Sequence, residues 1–286
     1  MREATLESPN GKIWYSIYGE NRPKTPILVL HGGPGFLSMS DGLEPLWEER
    51  PVILYDQLGC GNSDRAADKS FYSVENYVAE LAWVRSALKL DEVYLMGFSW
   101  GCALATAYML DTRPSGIKGI ILCAPYLSSP SWDADQRRNI ALMLPELRVA
   151  IETGEATGDF GGAYQAAMMA YYEKHVCLLS PWPASLQEAF PRLNMDVYNT
   201  MWGPSEFTIT GKLKDFDLTP RLPDIVHPIL LTCGDRDEAG VKTVKDFQQC
   251  FPNARMAVIP KASHLHQIER PEIFAAVIKD FLRDVD

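Results

Sequence analysis

A chain of 286 residues holds one large domain or two ordinary ones, with enough material for a hydrophobic core that needs neither disulfides nor a metal. Hydrophobic residues make up 47% and charged residues 22%, and no apolar run approaches the roughly 18 residues of a spanning helix, so disordered, collagen-like and integral membrane classes are excluded. With 27 Lys and Arg against 37 Asp and Glu the net charge is −10, which repels a phosphate backbone and sets nucleic acid aside as a partner.

Residues 1–7 place acids early and contain no apolar stretch, so no signal or transit peptide is expected. The six cysteines (Cys60, Cys102, Cys123, Cys177, Cys233, Cys250) form no C-x-x-C pair and no metal-ligand rhythm. They read as small core residues in a reducing compartment, and the expected location is the cytoplasm. At residues 13–18 aromatic and β-branched side chains alternate, with Ile13, Tyr15 and Ile17 on one face, which predicts an antiparallel edge hairpin. Residues 26–30, 51–55, 93–96, 119–123 and 229–233 are short continuous apolar runs without period-two alternation, as expected of strands buried on both faces of a parallel sheet. Helical spacing separates them, for example over residues 74–90, so the order predicts a doubly wound α/β sheet. From 128 to 218 no such run occurs, Gly and Pro break short helical stretches, and Met, Trp and Tyr are frequent. This predicts a helical insertion of residues 128–218 in a core made of 1–127 and 219–286. Residues 255–259 are the expected last strand and 271–281 the closing helix.

Gly97-Phe98-Ser99-Trp100-Gly101 matches G-x-S-x-G between a buried strand and an Ala-rich helix. A strand-to-helix turn this sharp strains the nucleophile's backbone and leaves no room for side chains beside it, so Ser99 is the expected nucleophile. His31-Gly32-Gly33-Pro34-Gly35 follows the first parallel strand, where glycines let backbone N–H groups approach a substrate oxygen. A phosphate loop is set aside because the G-K-[ST] tail is missing, and Gly59-Cys60-Gly61 lacks the third glycine of a dinucleotide fingerprint. The acid and base must follow Ser99 in the order Asp or Glu, then His. His264 lies directly after the last strand behind a turn-forming Ala-Ser pair and is favoured over His266. Asp237, three residues past Gly234, is favoured over Asp235, which is expected to cap the turn.

Together, His31-Gly-Gly-Pro-Gly35, Tyr55-Asp56-Gln57-x-Gly59-x-Gly61-x-Ser63, Ser99-Trp100-Gly101, Gly234-x-x-Asp237-Glu238 and Ser263-His264 resemble the proline iminopeptidases of the α/β-hydrolases over nearly the whole chain. The resemblance implies an α/β-hydrolase fold, a mostly parallel sheet with helices on both faces and an inserted helical cap. It implies Ser99 as nucleophile, Asp237 as acid and His264 as base, with the N–H groups of Gly33 and Trp100 as oxyanion donors. It also implies that Glu206, in a cap segment Met201-Trp-Gly-Pro-Ser-Glu-Phe207, and Glu238 bind the substrate's free amino end. The expected activity is acyl-enzyme hydrolysis of the amide after a free N-terminal amino acid, as an aminopeptidase or amino-acid amidase. The expected partner is a small molecule or short peptide, with no cofactor, no metal, no nucleic acid and no membrane. The same triad would also serve a carboxylesterase, and the fold alone could carry a non-catalytic receptor. Phe98 stands where a glycine often precedes the nucleophile, and Leu58 where an arginine usually follows Asp-Gln. Both are expected to reshape the pocket for the substrate's first side chain. Asp235-Arg236 replace a common Glu or Arg and Tyr.

Overall fold

A computed structural model describes residues 1–286. Eight strands form one sheet in the order β1-β2-β4-β3-β5-β6-β7-β8. β1 (Arg2–Ser8) and β2 (Gly11–Tyr18) form an antiparallel hairpin. β2 then pairs antiparallel with β4 (Val52–Tyr55), and from β4 through β3 (Ile27–Leu30), β5 (Val93–Phe98), β6 (Ile117–Cys123), β7 (Ile229–Gly234) and β8 (Ala254–Ile259) every pairing is parallel. Residues 13–18 thus lie in an antiparallel edge hairpin, as expected, and its outer strand β1, which their alternation does not reveal, is the edge itself.

The continuous apolar runs are explained by two cores on either side of the sheet. Leu28 and Leu30 face the larger one, packed with α2 (Val74–Ala87), α3 (Trp100–Thr112) and α9 (Val241–Cys250). Ile27 and Val29 face the smaller one, closed by α1 (Glu44–Trp47) and α11 (Pro271–Val285). Successive strand residues point to opposite faces, so a strand covered on both must be apolar throughout.

Between β6 and β7 the chain adds α4 (Ser129–Ala141), α5 (Pro145–Thr157), α6 (Gly162–His175), α7 (Ala184–Ala189) and α8 (Met195–Met201). Ser128 caps α4, its Oγ accepting from the Ser131 N–H, and Asn194 caps α8 by accepting from the Asp196 N–H. Ile151, Tyr164, Tyr171 and Phe207 belong to a third hydrophobic cluster confined to this segment. Its two ends meet: Ser128 and Asp217 form an isolated antiparallel bridge, and the Leu218 N–H donates to the Leu127 carbonyl at 3.0 Å. A short helix, α10 (His266–Glu269), precedes α11. No helix is long and apolar enough to cross a membrane.

Candidate active site

Crowding sets the turn after β5. A Cβ on Gly97 would collide with the Gly101 carbonyl, and one on Gly101 with the Leu30 carbonyl, so both positions require glycine. Between them Ser99 takes φ 51° and ψ −116°, which costs an L-residue roughly 1–3 kcal/mol and sets its side chain at the carboxyl end of the sheet. The Ser99 N–H donates to the Cys123 carbonyl at 2.9 Å. Trp100 opens α3, where a first-turn N–H has no intrahelical acceptor and is free to meet an anion.

The loop after β3 passes against this turn: a Cβ on Gly32 would stand 3.3 Å from the Ser99 Cβ, and Gly33 adopts φ +117°. Gln57, a motif residue to which the sequence reading gave no role, joins the two. Its backbone N–H donates to His31 Nε2 (3.0 Å), its Nε2 to the His31 carbonyl (3.2 Å), and its Oε1 accepts from the Trp100 indole (2.9 Å). Because His31 Nε2 accepts, its proton lies on Nδ1, which donates to the Gly32 carbonyl at 2.8 Å. Burial pushes the His31 pKa down against the opposing charge of Asp56, so the ring stays neutral. Asp56 accepts from the N–H groups of Ser38 (2.7 Å) and Asn62 (2.8 Å), pinning the same loop.

Asp237 and His264 come together from the loops after β7 and β8. His264 Nδ1 donates to Asp237 Oδ1 at 2.8 Å, and the remaining acceptor capacity of Asp237 is met by the N–H groups of Ala239 (2.9 Å) and Gly234 (3.2 Å). A carboxylate held by three N–H donors fixes the imidazole in the tautomer whose Nε2 can accept a proton. Asp235 does other work: it accepts from the N–H groups of Lys261 (2.9 Å) and Ala262 (3.3 Å), tying the acid loop to the base loop. His266 is buried, paired with Thr232 Oγ1 at 2.9 Å, and burial pushes its pKa down to about 4.

The inserted helices hold these loops from above. The His264 and Leu265 N–H groups donate to the carbonyls of His175 and Val176, both at 3.0 Å, and Gln136 Nε2 donates to the Glu238 carbonyl at 3.2 Å. Trp132 stacks edge-on against His264 with centroids 5.8 Å apart, and its indole donates to the Glu206 carbonyl at 2.8 Å. Glu206 accepts from the Tyr198 hydroxyl at 2.8 Å. Glu238 is fully buried, neither carboxylate oxygen has a hydrogen-bond partner, and Oε1 lies 3.7 Å from His264 Nδ1. Burial raises the pKa of both glutamates, Glu238 the more, with Glu206 and Asp237 pushing it further and His264 opposing. For His264 burial acts downward, but Asp237, Glu238 and Glu206 outweigh it and raise the pKa to about 9.

Ser99, His264, Gly33, Glu206 and Glu238 all line one cavity of about 900 Å³ including its mouth, walled otherwise mainly by apolar side chains. Phe98 lines it too, as expected. Leu58 does not: its side chain is buried in the main core, its carbonyl accepts from Tyr77 Oη at 2.9 Å, and its N–H donates to the buried Glu80. Leu58 is thus packed into the core and does not line the pocket. Trp132 and Gln136 are not marked by the sequence because their partners lie far along the chain, and Tyr198, eight residues from Glu206, because helical spacing does not extend across the turn between them.

Residues 25–271 match the family described as the alpha/beta hydrolase fold. A proline iminopeptidase of Heyndrickxia coagulans is 43% identical over 286 residues, covering 99% of each chain. Among solved structures, a proline iminopeptidase of Mycobacterium smegmatis superposes with a TM-score of 0.89 at 31% identity, covering 99% of this chain and 98% of that one. VinJ superposes at 0.93 with 32% identity, covering 100% and 99%.

Proposed function

Since the chain belongs to the proline iminopeptidase family of α/β-hydrolases, we infer that it is a serine hydrolase that cleaves the amide bond after a free N-terminal amino acid. The observation that carries the amino-end requirement is Glu238, a buried carboxylate with both oxygens unpaired, lining the same cavity as Ser99. An uncompensated buried carboxylate is costly, and an ammonium seated between it and Glu206 would offset that cost. A neutral ester has no use for either group.

In this mechanism His264 Nε2 takes the proton of Ser99 as Oγ attacks the substrate carbonyl, and Asp237 stabilises the imidazolium. The N–H groups of Gly33 and Trp100 donate to the oxyanion. Imidazolium returns the proton to the leaving nitrogen, the C–N bond breaks, and the aminoacyl ester on Ser99 remains. Water, deprotonated by His264, releases the amino acid and restores Ser99. Residues 128–218 act as a cap that admits a small amide or short peptide and excludes folded protein.

The test is release of the N-terminal residue from a panel of prolyl, alanyl and leucyl arylamides, with the N-acetyl forms as controls. Turnover of the free-amine set alone, abolished in Ser99→Ala, is expected. Cleavage of acetylated and free-amine forms at similar rates would overturn the reading.

A further inference from the structure

The cavity contains a second unmet polar group that the mechanism above does not use. Gln267, on α10, is 6% exposed, lines the cavity, and has a buried carboxamide oxygen without a hydrogen-bond partner. A buried amide left unpaired is as conspicuous in an apolar wall as an unpaired carboxylate.

Sheet order places it. Ser99 follows β5; β3 lies on one side of that strand and β6 and β7 on the other. Glu238 belongs to the β7 side, where α4 holds it through Gln136. Gln267 belongs to the β3 side, because its backbone carbonyl packs so closely under Gly42, in the loop after β3, that a Cβ there would collide with it. The chain segments that carry Glu238 and the orphaned amide thus approach from opposite sides of β5, the strand that ends at Ser99. With the ammonium held at the glutamates and the acyl carbon over Ser99, what extends toward Gln267 is the leaving group. The cavity that Gln267 shares with Ser99 is lined mainly by apolar side chains, among them Leu37 and Met39 from the loop after β3 and Val176 and Leu265. No Lys or Arg lines the cavity; its histidines and carboxylates are His31, His264, Glu206 and Glu238, joined by the Tyr198 hydroxyl and the Cys123 thiol.

We propose that Gln267 is the specificity-determining residue of a leaving-group subsite, hydrogen-bonding a neutral amide beyond the scissile bond in an otherwise apolar, cation-free pocket. The subsite selects amides and the interior of longer peptides over free dipeptides. A dipeptide's terminal carboxylate would be buried there with no cation and two glutamates in the same cavity, which disfavours it. This rests on the aminopeptidase reading, and the experiment separates the two.

The experiment compares kcat/KM for prolyl-leucine amide, prolyl-leucine and prolyl arylamide in the wild type, Gln267→Met and Gln267→Lys. In the wild type the dipeptide amide is expected to exceed the free dipeptide by about tenfold or more. Gln267→Met should lower the ratio of dipeptide amide to arylamide about three- to tenfold, chiefly through KM, as loss of one neutral hydrogen bond implies. Gln267→Lys should move preference toward the free dipeptide. A wild-type ratio of amide to free dipeptide near one, or ratios unchanged in Gln267→Met, would overturn the subsite while leaving the aminopeptidase reading intact. Failure to cleave any free-amine substrate, arylamide included, would overturn that reading itself.

Discussion

Replacing Glu238 by Gln keeps the shape of the side chain and removes its charge. Both carboxylate oxygens lack partners in the folded protein, so the substitution breaks no internal hydrogen bond. What it removes is the charge-assisted bond to a substrate ammonium, about 1.5–3 kcal/mol, or roughly 10- to 100-fold in kcat/KM for free-amine substrates. The loss should fall mainly on KM. A second effect has the opposite sign. Glu238 Oε1 stands 3.7 Å from His264 Nδ1 and helps raise the imidazole pKa to about 9. A neutral imidazole is required to accept the Ser99 proton, so removing that carboxylate should lower the pKa and carry activity on a neutral p-nitrophenyl ester to lower pH. The assay is kcat/KM against pH for a prolyl arylamide and a neutral ester, with melting temperature as the control for folding. Equal losses on the two substrates, or no loss on either, would refute the assignment of Glu238 to the amino end.

His264→Ala should cost about 10⁶ in kcat, because members of a triad act as a unit. His266→Ala should keep kcat within about tenfold while lowering stability by about 1–3 kcal/mol through the unpaired Thr232 hydroxyl; kcat and urea midpoints measure both. Asp237→Asn should lose about 10⁴ in kcat by favouring the wrong imidazole tautomer, whereas Asp235→Asn, which only weakens a clasp on the Lys261 and Ala262 N–H groups, should stay within a few-fold. Glu80 is buried under the Asp56–Gly59 turn, and burial pushes its pKa from 4.5 to about 8 even though it accepts from the Leu58 N–H. The folded protein therefore holds that proton more tightly than the unfolded chain. This contribution is complete below pH 4.5 and is lost, at up to about 1.4 kcal/mol per pH unit, as pH rises to about 8. Glu80→Gln should flatten that part of the stability curve, and denaturant midpoints between pH 5 and pH 8 would show it.

The parallel strands were readable because burial on both faces leaves no polar position, and the nucleophile turn because Gly97 and Gly101 are forced by backbone contact. His264 and Asp237 could be chosen over their neighbours by chain order and distance from the strand ends. β1 was not readable. As the edge strand it buries no residue fully: Glu3, Thr5 and Glu7 lie on its exposed face and Ala4 and Leu6 on the other are only half-buried, so no apolar run marks it. Leu58 was misplaced because a motif fixes neighbours in sequence, not the direction of each side chain. Gln136 and Trp132 were invisible because they act on Glu238 and Glu206 across 102 and 74 residues of chain. The same holds for Gln267, whose place is set by Gly42.

The central claim joins a nucleophile at Ser99 to recognition of a free amino end, and one reagent examines both. A prolyl phosphonate diaryl ester places phosphorus where the scissile carbon would sit and keeps the amine free. Intact mass and peptide mapping after inactivation should show one adduct per chain, on Ser99. The N-acetylated phosphonate should react about 100-fold or more slowly, as loss of the contacts to Glu206 and Glu238 implies. An adduct on another residue, or equal rates for the free and acetylated reagents, would contradict the account.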